Sequence, residues 1–230
     1  MTPMRLEILG TRGNIRPSAP RYARHSGILV DSRILLDLGE ATFLRRRPRH
    51  VFITHLHPDH AAFPRTRAVT DAEIFLPEPA PGLPAARVVS GPVRCGVHRI
   101  VPVPTVHSLK MRSVGYVIEA GGRRVFFSSD LVSIERRYHR RLRRLDLVIT
   151  EGSYMRRGGL VRTDPASGRP FGHAGIPDLV ELFRPFTPRI VFTHFGSWFY
   201  KDIAASIQQI ESLGDGVRTS AARDGLVIEV

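Results

Sequence analysis

Cysteine is all but missing from this 230-residue chain, with Cys95 the single example. One thiol closes no intrachain disulfide and builds no cysteine-based zinc site, so any metal must rest on other donors. Long apolar runs are missing too. Nothing approaches the ~20 residues of a membrane span. The apolar run Leu6 to Leu9, after Met1-Thr2-Pro3-Met4-Arg5, is too short for the core of a signal peptide. The expectation is a cytoplasmic protein with no membrane partner. Lysine is scarce as well: all but two of the 34 basic residues are arginine, Lys110 and Lys201 being the exceptions. Acidic residues number only 21, so the formal charge is +13 and the sequence pI is near 11.2.

An apolar fraction of 42% and a mean hydropathy of -0.10 are ordinary for a globular chain. The length suits one large domain spanning residues 1–230 better than two small ones. Arginine grips phosphate bidentately, so the charge favours a phosphate-bearing ligand, although an arginine-rich composition also follows from codon usage. Two clusters are dense: Arg45-Arg46-Arg47-Pro48-Arg49, and the run from Arg136 to Arg144. On a helix the second would spread arginine around most of the circumference. Much of it is therefore expected in solvent, with a nucleic-acid surface as the alternative.

Short β-like runs recur along the chain: Arg5–Leu9, Gly27–Val30, Ile34–Asp37, His50–Ile53, Glu73–Leu76, Val97–Val101, Val114–Glu119, Arg124–Phe127, Leu145–Ile149, Arg189–Phe192 and Gly225–Glu229. Many are continuously apolar, the pattern of strands covered on both faces. Helices are expected at Ile134–Leu142, at Pro177–Phe186, and at Tyr200–Leu213, where Ile203, Ile207 and Ile210 share a face and Gly214 can end the helix. Gly91, Pro92, Pro102 and Pro104 punctuate the middle, and Ala80-Pro81-Gly82-Leu83-Pro84 reads as a turn-rich link. The pattern predicts two sheets packed face to face with helices outside.

The densest chemistry lies in Thr54-His55-Leu56-His57-Pro58-Asp59-His60, directly after the apolar Val51-Phe52-Ile53. Neutral imidazole and carboxylate suit the same borderline-hard metal ions. Pro58 fixes its own φ and biases His57 toward extended backbone, which stiffens the turn. Three further polar residues end apolar runs: His107 after Ile100–Val106, Asp130 after Val125–Ser129, and His194 after Ile190–Thr193. Singly each could cap a turn; four such positions together point to a metal cradle.

These residues resemble the metallo-β-lactamase fold superfamily, in its ribonuclease Z-like and phosphodiesterase branch. The HxHxDH signature is His55-x-His57-x-Asp59-His60, and Leu9-Gly10-Thr11 and Ile34–Glu40 resemble the superfamily's opening. The resemblance implies a four-layer αββα sandwich in the α/β class. It implies that His55, His57 and His107 hold one ion, that Asp59, His60 and His194 hold a second, and that Asp130 bridges them. Zinc would be the default, with manganese or iron compatible with the donors. A hydroxide between two such ions would be the nucleophile. Asp37 is expected to orient a ligand loop or to serve a strand-end turn. Ile149-Thr150-Glu151-Gly152-Ser153-Tyr154 resembles a segment that carries a His-Glu pair, with Thr150 where the histidine would stand. Gly172-His173-Ala174-Gly175 resembles a glycine-histidine element whose histidine contacts the scissile phosphate and protonates the leaving oxygen. By resemblance, Asp59, His173 and Glu151 would act in the reaction itself. The implied activity is a dinuclear phosphodiesterase on RNA, DNA or a nucleotide diester, with a homodimer as a compatible assembly. A lactonase or other acyl hydrolase is the alternative on the same scaffold, and a non-catalytic binding module a third reading.

Overall fold

The structure is a computed structural model that describes residues 3–63, 70–83 and 85–230. Met1 and Thr2 of the leader reading, and Pro84 of the turn-rich link, lie outside the described residues. The described strands form two seven-stranded sheets and one ribbon. The first sheet runs β16 (Val227–Glu229), β1 (Arg5–Gly10), β2 (Gly27–Val30), β3 (Ile34–Leu36), β4 (His50–Phe52), β5 (Glu73–Leu76), β6 (Arg87–Val88). The second runs β15 (Arg218–Ala221), β14 (Arg189–Phe195), β11 (Leu147–Gly152), β10 (Arg123–Ser129), β9 (Ser113–Ala120), β8 (His98–Thr105), β7 (Val93–Cys95). The ribbon pairs β12 (Leu160–Thr163) with β13 (Pro170–His173).

Each sheet is antiparallel in one half and parallel in the other. The first is parallel from β3 through β6, the second from β10 through β15. Side chains alternate across a strand, so each strand feeds two cores. Leu6, Ile8, Leu36 and Phe52 of the first sheet meet Tyr116, Ile118, Phe127 and Ile149 of the second between the sheets. The opposite faces are covered as well. Leu35, Val51 and Ile53 pack with Phe43 and with Ala61 to Phe63. Phe126, Val148 and Phe192 pack under α1 (Ile176–Phe183) and α2 (Ile203–Glu211). Burial on both faces explains the unbroken apolar runs, and the result is the expected sandwich of two sheets with helical segments outside.

Several expectations shift. Ile134–Leu142 does not form an α-helix; Arg136–Leu142 is a 3-10 turn. The Arg124 guanidinium from β10 donates to the carbonyls of Arg141 (2.8 Å) and Arg143, and Arg141 donates to Pro102 O at 2.6 Å, so this segment is pinned to the sheet. The other helices are shorter than expected, α2 starting where the Asp202 side chain accepts from Ala205 N at 3.0 Å. Strand β8 runs through Pro102 and Pro104, because β7 ends opposite Ile100 and leaves β8 an edge there, where a missing N–H costs nothing. Strands β6, β7, β12, β13 and β15 have no counterpart among the expected runs. They are short or largely exposed, and polar alternation carries little signal. No described helix is long and apolar enough to cross a membrane.

Candidate metal centre

Strand β4 delivers the His-rich loop. Ile53 closes the buried strand, its N–H on Phe75 O at 2.9 Å and its carbonyl accepting from Tyr116 Oη at 2.8 Å. The loop then turns within a few residues: the N–H groups of His60 and Ala61 both donate to His57 O, at 3.0 and 2.8 Å. That turn throws His55, His57, Asp59 and His60 toward one point at the carboxyl ends of the parallel strands. Asp130 arrives from β10, His194 from β14 and His107 from the end of β8.

The ligand-type atoms gather in two groups. His57 Nδ1 lies 2.9 Å from His55 Nε2 and 3.3 Å from His107 Nε2. His194 Nε2 lies 3.1 Å from His60 Nε2 and 3.0 Å from Asp59 Oδ2. Donors ~2.0–2.1 Å from a tetrahedral ion stand roughly 3.3 Å apart, and these separations match. Asp130 sits between the groups, with Oδ2 3.7 Å from His55 Nε2 and 3.8 Å from His107 Nε2, and Oδ1 3.5 Å from His60 Nε2. Asp130 Oδ1 is buried and makes no hydrogen bond among the described residues, although His194 Nδ1 stands 3.2 Å away. A buried carboxylate oxygen without a donor is costly, and a cation relieves it.

The far side of three of the rings is already committed. His107 Nδ1 donates to Gly172 O at 2.8 Å, and His60 Nδ1 to Asp37 Oδ2 at 2.7 Å. His55 Nδ1 lies 3.1 Å from the Thr54 hydroxyl, whose own proton points at Asp37 Oδ1, 2.9 Å away. A neutral ring that donates through Nδ1 presents its Nε2 lone pair. Lone pairs brought together at 3 Å repel, so the donor set fits metal ions. Asp37 is the hub behind this arrangement. Fully buried, it also accepts from Thr54 N at 2.8 Å and from Ser26 Oγ at 3.1 Å. It therefore fills both roles expected of it, since it also stands at the strand-end turn after β3. Asp37, Ser129 and His194 all hold left-handed backbone, with φ of 61, 55 and 53°. They are three of the eight described non-glycine residues with positive φ, and at the cradle the surrounding packing must hold that conformation.

Beside the cradle, His173 Nδ1 donates to Glu151 Oε2 at 2.7 Å. Glu151 is fully buried, and its other oxygen accepts from Leu131 N at 2.7 Å. Thr150 is occupied elsewhere, accepting from Ser128 Oγ at 2.7 Å. The partner of Glu151 thus comes from β13 rather than from the position before it in sequence. The ribbon is tied to the centre through Gly172, whose N–H donates to His107 O at 2.7 Å.

The electrostatics follow from burial and crowding. Burial, then the neighbouring His60, holds His55 well below its ordinary value; burial and His107 lower His57. For His60 burial works in the same sense, but the charges of Asp130, Asp59 and Asp37 outweigh it and raise the group well above normal. His194 is raised in the same way, against burial, chiefly by Asp130. Burial opposes ionisation of Asp59 and Asp130, yet the surrounding histidines push both far down. His173 is raised to about 9, against burial, by Glu151 and then Asp130.

The centre opens into a cleft of about 260 Å3. His57, Asp59, Asp130, His173 and His194 reach it, so all seven expected ligand positions and both further residues, His173 and Glu151, are gathered in one place. The rim also includes Gly13, Asn14, Ile15, Ser153, Tyr154 and Ser197, none of which had been singled out as site residues. A β-carbon on Gly13 would come within 3.2 Å of the His194 ring, so glycine there clears the ligand. The arginine clusters lie away from the cleft. Arg46 pairs with Glu7, and Arg136, Arg137, Arg140, Arg143 and Arg144 are exposed.

No curated protein matches the chain. Among solved structures, it is similar to the metallo-beta-lactamase fold protein YhfI from Bacillus subtilis, at 17% identity with all of both chains covered and a TM-score of 0.72. A diphosphatase from the PhnP family is 17% identical over 99% of this chain and 98% of its own, with a TM-score of 0.64. Human tRNase Z, short form, is 17% identical over 97% and 98%, with a TM-score of 0.62. The sequence pattern described as the Beta-lactamase superfamily domain matches residues 38–195, more than half of the chain and nearly all of the cradle. The chain belongs to the beta-lactamase superfamily, with a metallo-β-lactamase fold that ribonuclease Z-like members share.

Proposed function

We propose that this protein is a dinuclear metal-dependent phosphodiesterase acting on nucleic acid or a nucleotide diester. The observation that carries the reading is the His173–Glu151 pair at the lip of a cradle whose two donor groups flank Asp130. His55, His57 and His107 would hold one ion, Asp59, His60 and His194 the other, with Asp130 common to both. The all-nitrogen and oxygen donor set suits zinc, and equally manganese or iron. Two divalent ions held there supply an acidified water and a sink for charge on an attacked phosphate.

The remaining work falls to the chain's own groups. Glu151 fixes the His173 ring through Nδ1 and favours its charged form, leaving Nε2–H for the oxygen of the departing alcohol. The buried carboxylate does not itself reach the cleft, so it positions rather than reacts. Asp59 lines the cleft and is held as an anion by His60 and His194, which keeps it a donor to a cation rather than a proton source. The excess of arginine favours a polyanionic substrate such as RNA or DNA. The diphosphatase and tRNase Z names of two structural relatives support phosphate chemistry in the same fold.

The test is metal analysis of the purified protein, paired with a hydrolysis panel of model phosphodiesters, oligonucleotides and lactones. About two transition-metal ions per chain and turnover of diesters are expected. Turnover of lactones with every diester inert would replace this reading with an acyl hydrolase. Metal content without any turnover would favour a binding module.

A further inference from the structure

A second and larger depression, about 680 Å3, lies beside β8, away from the cradle. Its lining includes five cations, Lys110, Arg112, Arg137, Arg141 and Arg169, against two carboxylates, Glu78 and Glu135. Glu135 is already engaged, 3.0 Å from Arg137. Lys110 and Arg112 are exposed and have no carboxylate within ion-pair distance among the described residues. Two further arginines of the groove are held in place. The Arg137 and Arg141 guanidiniums stand over the Tyr138 ring, 4.9 and 5.1 Å from its centre, and Arg141 also donates to Pro102 O at 2.6 Å. Cations fixed by packing lose little freedom when an anion arrives.

The groove and the cradle share two lengths of chain. Thr105 and Val106 line the groove and His107 follows in the cradle; Arg169 lines the groove and His173, at the other end of β13, reaches the cleft. Four residues of extended chain span roughly 13 Å. Phosphates of an extended single strand are spaced more widely than the ~3.4 Å rise per nucleotide of a duplex strand, so that gap corresponds to a few nucleotides at most.

We infer that this groove holds a single-stranded segment of nucleic acid whose scissile phosphate lies at the cradle, gripping phosphates a few nucleotides away. The inference builds on the phosphodiesterase reading and names its substrate as a chain rather than a small diester. A positively charged groove that tracks a backbone is what sequence-tolerant strand binding requires. Single-strand contacts contribute a salt slope of ~0.7 per phosphate, so losing two lowers the slope of log affinity against log salt by about 1.4.

The experiment uses the metal-loaded protein and the double variant Lys110→Glu/Arg112→Glu, both at exposed positions outside the cradle. Binding of a fluorescent twelve-nucleotide single strand with phosphorothioate linkages, RNA and DNA in parallel, is followed by anisotropy across a salt series, so that cleavage is suppressed while the metal stays in place. The variant should bind roughly tenfold more weakly at moderate salt, with the slope reduced as above. Its kcat/KM on bis(p-nitrophenyl) phosphate should stay within about twofold of the parent, because that diester is too short to reach the groove. Unchanged strand affinity and unchanged slope overturn the groove, as does an equal loss on the small diester. If nothing is hydrolysed by the parent but the strand binds in the expected way, the phosphodiesterase reading fails and the groove stands as a nucleic-acid site.

Discussion

His173 and Asp37 show two ways in which one side chain governs the centre. His173 reaches the cleft with its proton held by a buried carboxylate. General acid assistance is typically worth ~10²–10⁴-fold, so His173→Ala should lower kcat on that scale with metal content intact. Diesters with activated leaving groups need little protonation and should lose less; an equal loss on both would make the ring a phosphate ligand instead. Asp37 never reaches the cleft, yet Thr54 N, the Thr54 hydroxyl, Ser26 Oγ and His60 Nδ1 all depend on it. Asp37→Ala strips several buried donors of their acceptor at once. It should destabilise the fold by ~3–5 kcal/mol and weaken metal binding 10–100-fold, which thermal melting and competitive chelation would measure. A melting temperature equal to the parent's would show that the hub is dispensable.

At the scale of elements, the ribbon β12–β13 is small and largely exposed, but it carries His173 and orients His107. Gly172 makes this possible. Its φ is 109°, its carbonyl accepts from His107 Nδ1, and a β-carbon there would fall 2.1 Å from Leu160 O. No side chain fits without moving one strand of the ribbon. Gly172→Ala should therefore cost ~1–3 kcal/mol and lower kcat at least as far as His173→Ala, because His107 loses its partner too. A crystal structure or a chelation assay would show the second effect as weakened binding at the His55–His57–His107 group alone. The parallel halves of the sheets matter for the same reason. They point their carboxyl ends at one edge, and the loops that leave those ends carry Asp37, the His-rich turn, Asp130 and His194 to a common place.

The whole molecule couples protons to metal. In the protein alone, carboxylate charge raises His60 and His194 above 6.5, whereas burial keeps His55 and His57 below it. The carboxylates thus favour the charged form in the first pair, and burial the neutral form in the second. A metal needs lone pairs, so loading the Asp59–His60–His194 group would expel protons that the neighbouring carboxylates hold there. Affinity for the second ion should climb as pH rises through the raised values of His60 and His194. Calorimetry near pH 6 in buffers of different ionisation enthalpy should report net proton release on loading. Release of none would contradict the charge states. The sign for metal-free stability at this group is opposite: tighter proton binding in the fold stabilises most below pH 6.5, and that share is lost as pH rises through the raised values.

Reading the chain alone reached far into this architecture, and its limits are physical. A strand buried on both faces has to be apolar throughout, so β2, β3, β4 and β11 announce themselves residue by residue. The cluster His55 to His60 is visible because four polar groups at the end of such a strand have no packing role. His107, Asp130 and His194 share that signature. What stayed hidden depends on neighbours distant in sequence. β12 and β13 are only four residues each and lie at the surface or half-buried, too short for a periodicity to mark them, and the segment at Arg136 to Leu142 has helical composition but is captured as a 3-10 turn by Arg124 from β10. The cleft rim at Gly13–Ile15 and Ser197 and the basic groove arise only where distant segments of the chain meet. Local sequence determines which residues must leave water and which cannot; tertiary packing decides which of those left outside come face to face.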